Sequence, residues 1–153
     1  AEADTEEQLR AQLKRLLESR KMTEQEAECI RIRDIRRFVE SRLGQRMKKA
    51  AMKKHLYREQ PFVIQRSASM LDDGWKNETV LVQGIIDAYF MEEEEIVLVD
   101  YKTDRVRRGQ EQKLIDLYHV QLEDYARALE RMTGKRVKEK IIYSFTLQKE
   151  ILL

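Results

Sequence analysis

With 153 residues, 38% of them charged and a formal net charge of only +2, the chain has room for one domain with its own core and lacks the overall basicity that would by itself announce nucleic-acid binding. A single cysteine, Cys29, excludes an internal disulfide framework and a cysteine-ligated cluster within the chain. No apolar run approaches membrane-spanning length and no signal-peptide pattern opens the sequence, so no membrane partner is expected and the cytoplasm is the expected compartment.

Thr5-Glu6-Glu7-Gln8 and Thr23-Glu24-Gln25-Glu26 match the capping-box pattern and predict two helices that run to about Ser19 and Ser41. Leu9, Leu13, Leu16 and Leu17 form an apolar stripe on the first, and Ile30, Ile35, Phe38 and Val39 form one on the second. A helical hairpin or cap is therefore expected. Gly44 is expected to break the second helix, with helix resuming over 45–54. Residues 1–54 thus read as an N-terminal helical region packed on a core formed by 55–153. Arg31, Arg33, Arg36 and Arg37, and Lys48, Lys49, Lys53 and Lys54, fit solvated helix faces.

A strand is predicted around 56–65, with the only proline, Pro61, at an edge or a bulge. Asp72-Asp73-Gly74 and Lys76-Asn77 mark a turn. Two further strands, 81–90 and 96–102, follow as a hairpin joined by Glu92 to Glu95. If Met91 pairs with Ile96, Asp87 falls directly opposite Asp100 with Cβ atoms roughly 5 Å apart. Like charges so placed repel, and a divalent cation would turn that repulsion into a binding site. Lys102, two residues beyond Asp100, shares its strand face. Two carboxylates and an ammonium together fit metal-assisted phosphodiester hydrolysis, in which charge on the phosphorus centre is stabilised and a water is activated.

The acid-x-Lys pattern alone is weak evidence, since 28 acids and 13 lysines predict roughly two chance matches. The second match, Glu111-Gln112-Lys113, lies in a charged helical stretch. The weight rests on the apolar strand that ends in Asp100-Tyr101-Lys102 and on its acid-bearing neighbour; an edge hairpin with surface charges is the alternative. Arg105, Arg107 and Arg108 follow directly and are placed to hold a phosphate backbone.

A long helix is predicted over about 110–132, ended by Gly134, and a last strand over about 137–147. Leu114, Leu117, Tyr118, Gln121, Leu122, Tyr125, Ala128, Leu129 and Met132 share one helix face. Gln121 and Tyr125 on that stripe read either as reaching a phosphate or an active-site water, or as a hydrogen-bonded core pair.

The order of these elements, with Gly84-Ile85-Ile86-Asp87, Val99-Asp100-Tyr101-Lys102-Thr103 and Gln121-x-x-x-Tyr125, resembles the RecB-like branch of the PD-(D/E)xK nucleases. Tyr57-Arg58-Glu59-Gln60-Pro61-Phe62, Asp100 to Val106 and Ile142-Tyr143-Ser144-Phe145 are similar to the C-terminal nuclease domain of AddA-type (RexA-type) subunits of helicase-nucleases, from about Arg37 onward. The resemblance implies a mixed α/β, restriction-endonuclease-like fold, with a central mixed sheet of about four strands flanked by helices. It implies that Asp87, Asp100 and the Tyr101 carbonyl ligate Mg²⁺, or Mn²⁺ in its place, that Lys102 is catalytic, and that Gln121 and Tyr125 act near the scissile strand. It further implies a bacterial DNA exonuclease acting on single strands unwound for double-strand break repair, with an AddB (RexB) partner. ATP would be used by the helicase part and not by this chain.

One family element is absent. Relatives carry a Gly-Thr-x-x-His-x-x-x-Glu type helix whose histidine is a metal ligand, and neither His55 nor His119 lies in such a context. The chain is therefore expected to be a piece of a longer protein, weakly active or inactive alone. An inactive nucleic-acid-binding or subunit-docking module on the same fold is a competing reading. So is a stand-alone RecB-like nuclease, although those usually carry cysteines for an iron-sulfur cluster.

Overall fold

The computed structural model describes residues 2–18, 24–67 and 78–153, with side chains described from Glu7 except at residue 18 and residues 24–31. Three helices, α1 (Glu2–Glu18), α2 (Glu24–Glu40) and α3 (Arg42–Met52), precede strands β1 (Leu56–Ser67), β2 (Thr79–Glu92) and β3 (Glu95–Lys102). Helix α4 (Glu111–Thr133) then leads to β4 (Val137–Ser144) and β5 (Lys149–Leu152). The strands form one mixed sheet in the order β1-β2-β3-β4-β5, antiparallel except for the parallel β3–β4 pair that α4 connects. Among the described residues no helix is long and apolar enough to cross a membrane.

The leucine stripe of α1 packs as its spacing predicts. Leu9, Leu13 and Leu17 join Phe38, Leu43 and Met47 of α2 and α3 against Val97, Val99 and Tyr143 on one face of the sheet. Leu114, Leu122, Tyr125 and Leu129 of α4 cover Ile86, Leu98 and Ile142 on the other. Leu117 and Met132 lie outside that contact, 67% and 50% exposed, so the apolar face of α4 is narrower than its sequence suggests.

Several boundaries differ from the sequence expectation for identifiable reasons. Helix α1 begins ahead of Thr5, so the first capping-box pattern does not mark its start. Ser41, not Gly44, separates α2 from α3: its Oγ accepts the Gly44 N–H at 3.1 Å as the N-cap. Gly44 lies buried inside α3, where a Cβ would stand 2.2 Å from the Phe38 carbonyl oxygen, so the glycine serves the close approach of two helices. The last strand is two strands: Phe145 to Gln148 form a turn and β5 folds back on β4. Gly134 caps α4 at φ 69° as anticipated. The predicted turn at Asp72 to Asn77 and the Thr23 cap lie outside the described residues, as do the side chains of Cys29 and Ile30.

The feature that positions the site is a shared kink in β1 and β2. Their pairing runs from Leu56↔Phe90 to Ser67↔Thr79, and Glu59 opposite Asp87 is the one position left out. Glu59 has φ 50°, which a non-glycine residue adopts only under constraint. Across the kink the side-chain alternation reverses: Ala88 and Phe90 face α1–α3, whereas Ile86 faces α4. Leu56 and Phe62 differ in the same way on β1.

Candidate active site

The β2–β3 register agrees with the sequence expectation, Met91 facing Ile96, but the turn is shorter. Glu92 pairs with Glu95, and Glu93 and Glu94, at φ 50° and 70°, form a two-residue loop of the primed type that suits strand twist. Pairing then runs down to Ala88↔Val99 and ends one pair short of Asp87 and Asp100. The kink carries β2 away from β3 there. In place of a ladder bond, Asp87 Oδ2 accepts the Tyr101 N–H at 2.9 Å.

Alternation on β3 divides its last residues between two environments. The Tyr101 ring is buried on the helical side, edge-on to Phe38 at 5.5 Å, and anchors the strand end. Asp100 and Lys102 therefore point toward α4. Asp100 is only 3% exposed, with Lys102 Nζ 2.7 Å from its Oδ2. That approach forms an ion pair but no hydrogen bond, and Oδ2 has no other partner. Lys102 also donates to Gln121 Oε1 at 2.9 Å and lies 3.9 Å from the centre of the Tyr118 ring. Tyr118 in turn donates to Asp104 Oδ2 at 2.7 Å, which ties the segment after β3 to α4.

Burial, and then the nearby Asp100 charge, push the Asp87 carboxyl up to about 7, against the opposing pull of the Tyr101 N–H and of Lys102. Tyr125 is buried against Phe62, ring centres 5.0 Å apart, in the edge-on manner. Burial and the charges of Asp100 and Asp87 hold its hydroxyl up at about 12. Gly84 pairs with Phe62, and a Cβ there would meet the Phe62 ring at 3.0 Å, so this glycine lets the ring lie flat beneath Tyr125.

The structure thus gathers Asp87, Asp100, Lys102, Gln121 and Tyr125 at one end of the β2–β3 gap. Arg105, Arg107 and Arg108 lie exposed on the connection to α4, with the Arg107 N–H held by Gln110 Oε1 at 3.0 Å. The histidines lie elsewhere: the His55 carbonyl accepts from Met91, four residues along β2 from Asp87, and His119 Nδ1 contacts carbonyls of its own helix. Among the described residues, no three His, Cys, Asp or Glu side chains converge as a metal cluster. Sequence reasoning assigns no site role to three contributors. It marks Tyr118 only as a stripe residue, Asp104 only as part of a motif, and Gln12 not at all, although a glutamine among four leucines on a helix face is a visible signal.

A divalent cation fits the donor set in kind. Two carboxylates stand at one strand end, one oxygen buried without a hydrogen-bond partner and one group held partly protonated for want of positive charge.

The model of the PD-(D/E)XK nuclease superfamily matches residues 1–151. The chain belongs to this superfamily. The match includes α1 and α2, so family similarity begins well ahead of Arg37. Among relatives, the chain is 38% identical over 152 residues to a protein of Clostridium novyi (strain NT) named as the A-type subunit of an ATP-dependent helicase/nuclease, covering 96% of the chain and 12% of that protein. It is 43% identical over 144 residues to the protein of the same name from Acetivibrio thermocellus, covering 91% and 11%. For that of Thermoanaerobacter sp. (strain X514) the figures are 41% over 143 residues, 91% and 11%. The chain spans 11–12% of the length of these curated relatives. Its mixed sheet flanked by helices is the superfamily's nuclease fold.

Proposed function

We propose that the chain is a metal-dependent deoxyribonuclease domain whose site is Asp87, Asp100 and Lys102. The observation that carries this reading is the buried Asp100 oxygen that has an ammonium beside it but no hydrogen bond, next to a second carboxylate held up near 7. Asp87, Asp100 and the Tyr101 carbonyl would hold Mg²⁺, or Mn²⁺ in its place. When bound, the cation would supply Lewis-acid charge for the phosphate and lower the pKa of a water. Lys102, held between Asp100, Gln121 and the Tyr118 ring, presents its charge where a phosphate oxygen would gain negative charge. Gln121 and Tyr125 border the same space, and Arg105, Arg107 and Arg108 hold the backbone of the strand.

The names of the relatives support a finer reading: exonucleolytic cutting of single strands delivered by an ATP-dependent helicase, in bacterial cytoplasmic break repair, with an AddB-type partner. Residues 1–54 then act as a helical support packed on the 55–153 nuclease core. The test is release of nucleotides from end-labelled single-stranded DNA with Mn²⁺ or Mg²⁺, alongside calorimetric Mn²⁺ titration. Metal binding and cleavage that both vanish in Asp100→Ala would support the assignment. Mn²⁺ binding indifferent to Asp100→Ala would overturn it.

A further inference from the structure

The kink that opens the β2–β3 gap is held from behind by one face of α1. Gln8 accepts from Arg58, Gln12 Nε2 donates to the Asp87 carbonyl at 2.8 Å, and Arg15 donates to Glu59 Oε1 at 2.7 Å. Residues 8, 12 and 15 follow one another at helical spacing. Their targets, Arg58, Glu59 and Asp87, are the kink itself.

Gln12 is the informative member. It is 7% exposed, between Leu9 and Leu13 on the buried side of α1, and its Oε1 is buried with no partner. An amide buried with one end unsatisfied opposes folding, and a methionine of similar volume would not incur that penalty. Core stability therefore does not account for it. What the amide does is supply a donor to the carbonyl of the position that β1–β2 pairing skips and that lies one residue past the last β2–β3 pair. Fixing that carbonyl fixes the peptide plane on the C-terminal side of Asp87, hence the direction in which its side chain leaves the strand, toward the Tyr101 N–H and Asp100.

We propose that Gln12 is a positioning residue for the nuclease site, clamping the β1–β2 kink so that the Asp87 carboxylate stays set beside Asp100. The proposal rests on the reading of Asp87 and Asp100 as the metal-holding pair, and it adds that α1, which carries none of the proposed chemistry, controls their separation.

The test compares the 153-residue chain with Gln12→Met, which keeps the volume and removes the donor. Gln12→Asn is a second variant, whose shorter amide falls short of the Asp87 carbonyl. Leu16→Ala, on the same helix, serves as the packing control. Three quantities are read: Mn²⁺ affinity by calorimetry, metal-free melting temperature, and the backbone amide resonance of Tyr101, which reports the bond from Asp87 without any metal. Loss of the donor should weaken Mn²⁺ binding on the order of tenfold and shift the Tyr101 resonance in both Gln12 variants. Gln12→Met should melt no lower than the native chain. Leu16→Ala should melt lower while leaving affinity and the Tyr101 resonance as they were. Native Tyr101 resonance and native Mn²⁺ affinity in the Gln12 variants would overturn the proposal, as would the same changes in Leu16→Ala. If Asp100→Ala shows that Mn²⁺ binds elsewhere, the metal-site reading fails separately, and the metal-free Tyr101 resonance still decides whether Gln12 sets Asp87.

Discussion

Asp87 Oδ2 accepts the Tyr101 N–H at 2.9 Å, so a side-chain oxygen of β2 stands where a backbone carbonyl would have continued the ladder to β3. The bond places a carboxylate beside Asp100 at a strand end that the sheet has left open. It also makes Asp87 a group that the metal-free fold tolerates rather than favours.

The pH dependence follows from that. The Asp87 carboxyl rises from 3.8 to about 7 on folding, so its protonated form contributes stability that is complete below the lower value and is lost as pH rises through the higher one. Metal-free protein should lose on the order of 2 kcal/mol between about pH 5 and pH 8 that Asp87→Asn, which keeps an oxygen for the Tyr101 N–H, does not lose. Urea unfolding in a chelating buffer at the two pH values measures it. Native and variant curves that stay parallel would show that Asp87 carries no such penalty.

Metal should reverse the penalty. With two carboxylates and no third acidic or imidazole ligand among the described residues, Mn²⁺ should bind in preference to Mg²⁺, whose octahedral demands are stricter. At a hundred times its dissociation constant, Mn²⁺ should stabilise the chain by about 2.7 kcal/mol. Asp100→Ala should abolish both the binding heat and the stabilisation. Equal heats for native and variant would place any bound metal elsewhere.

Much of this site was legible because the signals were local. The run from Ile96 to Lys102, the period of two, and the Met91–Ile96 register brought Asp87, Asp100 and Lys102 together from sequence alone. What did not show was where that register ends. The kink at Glu59 and Asp87 depends on α1 side chains 44 and 75 residues away, and no local pattern encodes a contact of that range. Gly44 misled for a related reason. Its propensity reads as a helix break, while its role is tertiary, the room it leaves for the Phe38 carbonyl. The fold of the last segment into β4 and β5 was missed because Thr146 to Gln148 offer no glycine or proline; Gln148 takes φ 55° itself, its amide donating to Asp34 and to the Phe145 carbonyl.

Gly44→Ala tests that tertiary role. A Cβ 2.2 Å from the Phe38 oxygen and 2.7 Å from that of Val39 meets backbone, which cannot rotate away. In an unconstrained helix the change would be stabilising by about 1 kcal/mol. Here it should destabilise by about 3 kcal/mol as α2 and α3 are forced apart. A melting temperature at or above that of the native chain would return Gly44 to the role of a tolerated helix residue.

Lys102 gives the sharpest separation of chemistry from scaffolding. Its ammonium is the only cation paired with Asp100 among the described contacts, and it is held by Gln121 and the Tyr118 ring. Lys102→Met keeps the stem and removes the charge, which has three consequences of different sign. Metal-free stability should fall, because Asp100 is left buried beside nothing positive. Mn²⁺ affinity should rise, because a competing cation has gone. Cleavage of single-stranded DNA should drop on the order of 10², because the charge meant for the transition state is lost. Arg107→Ala is the contrast: an exposed residue that meets only backbone should show its loss as weaker DNA binding and a salt dependence reduced by about one unit of slope. A Lys102→Met protein that binds Mn²⁺ more tightly yet cuts at the native rate would leave Lys102 as the counter-ion of Asp100 and nothing more.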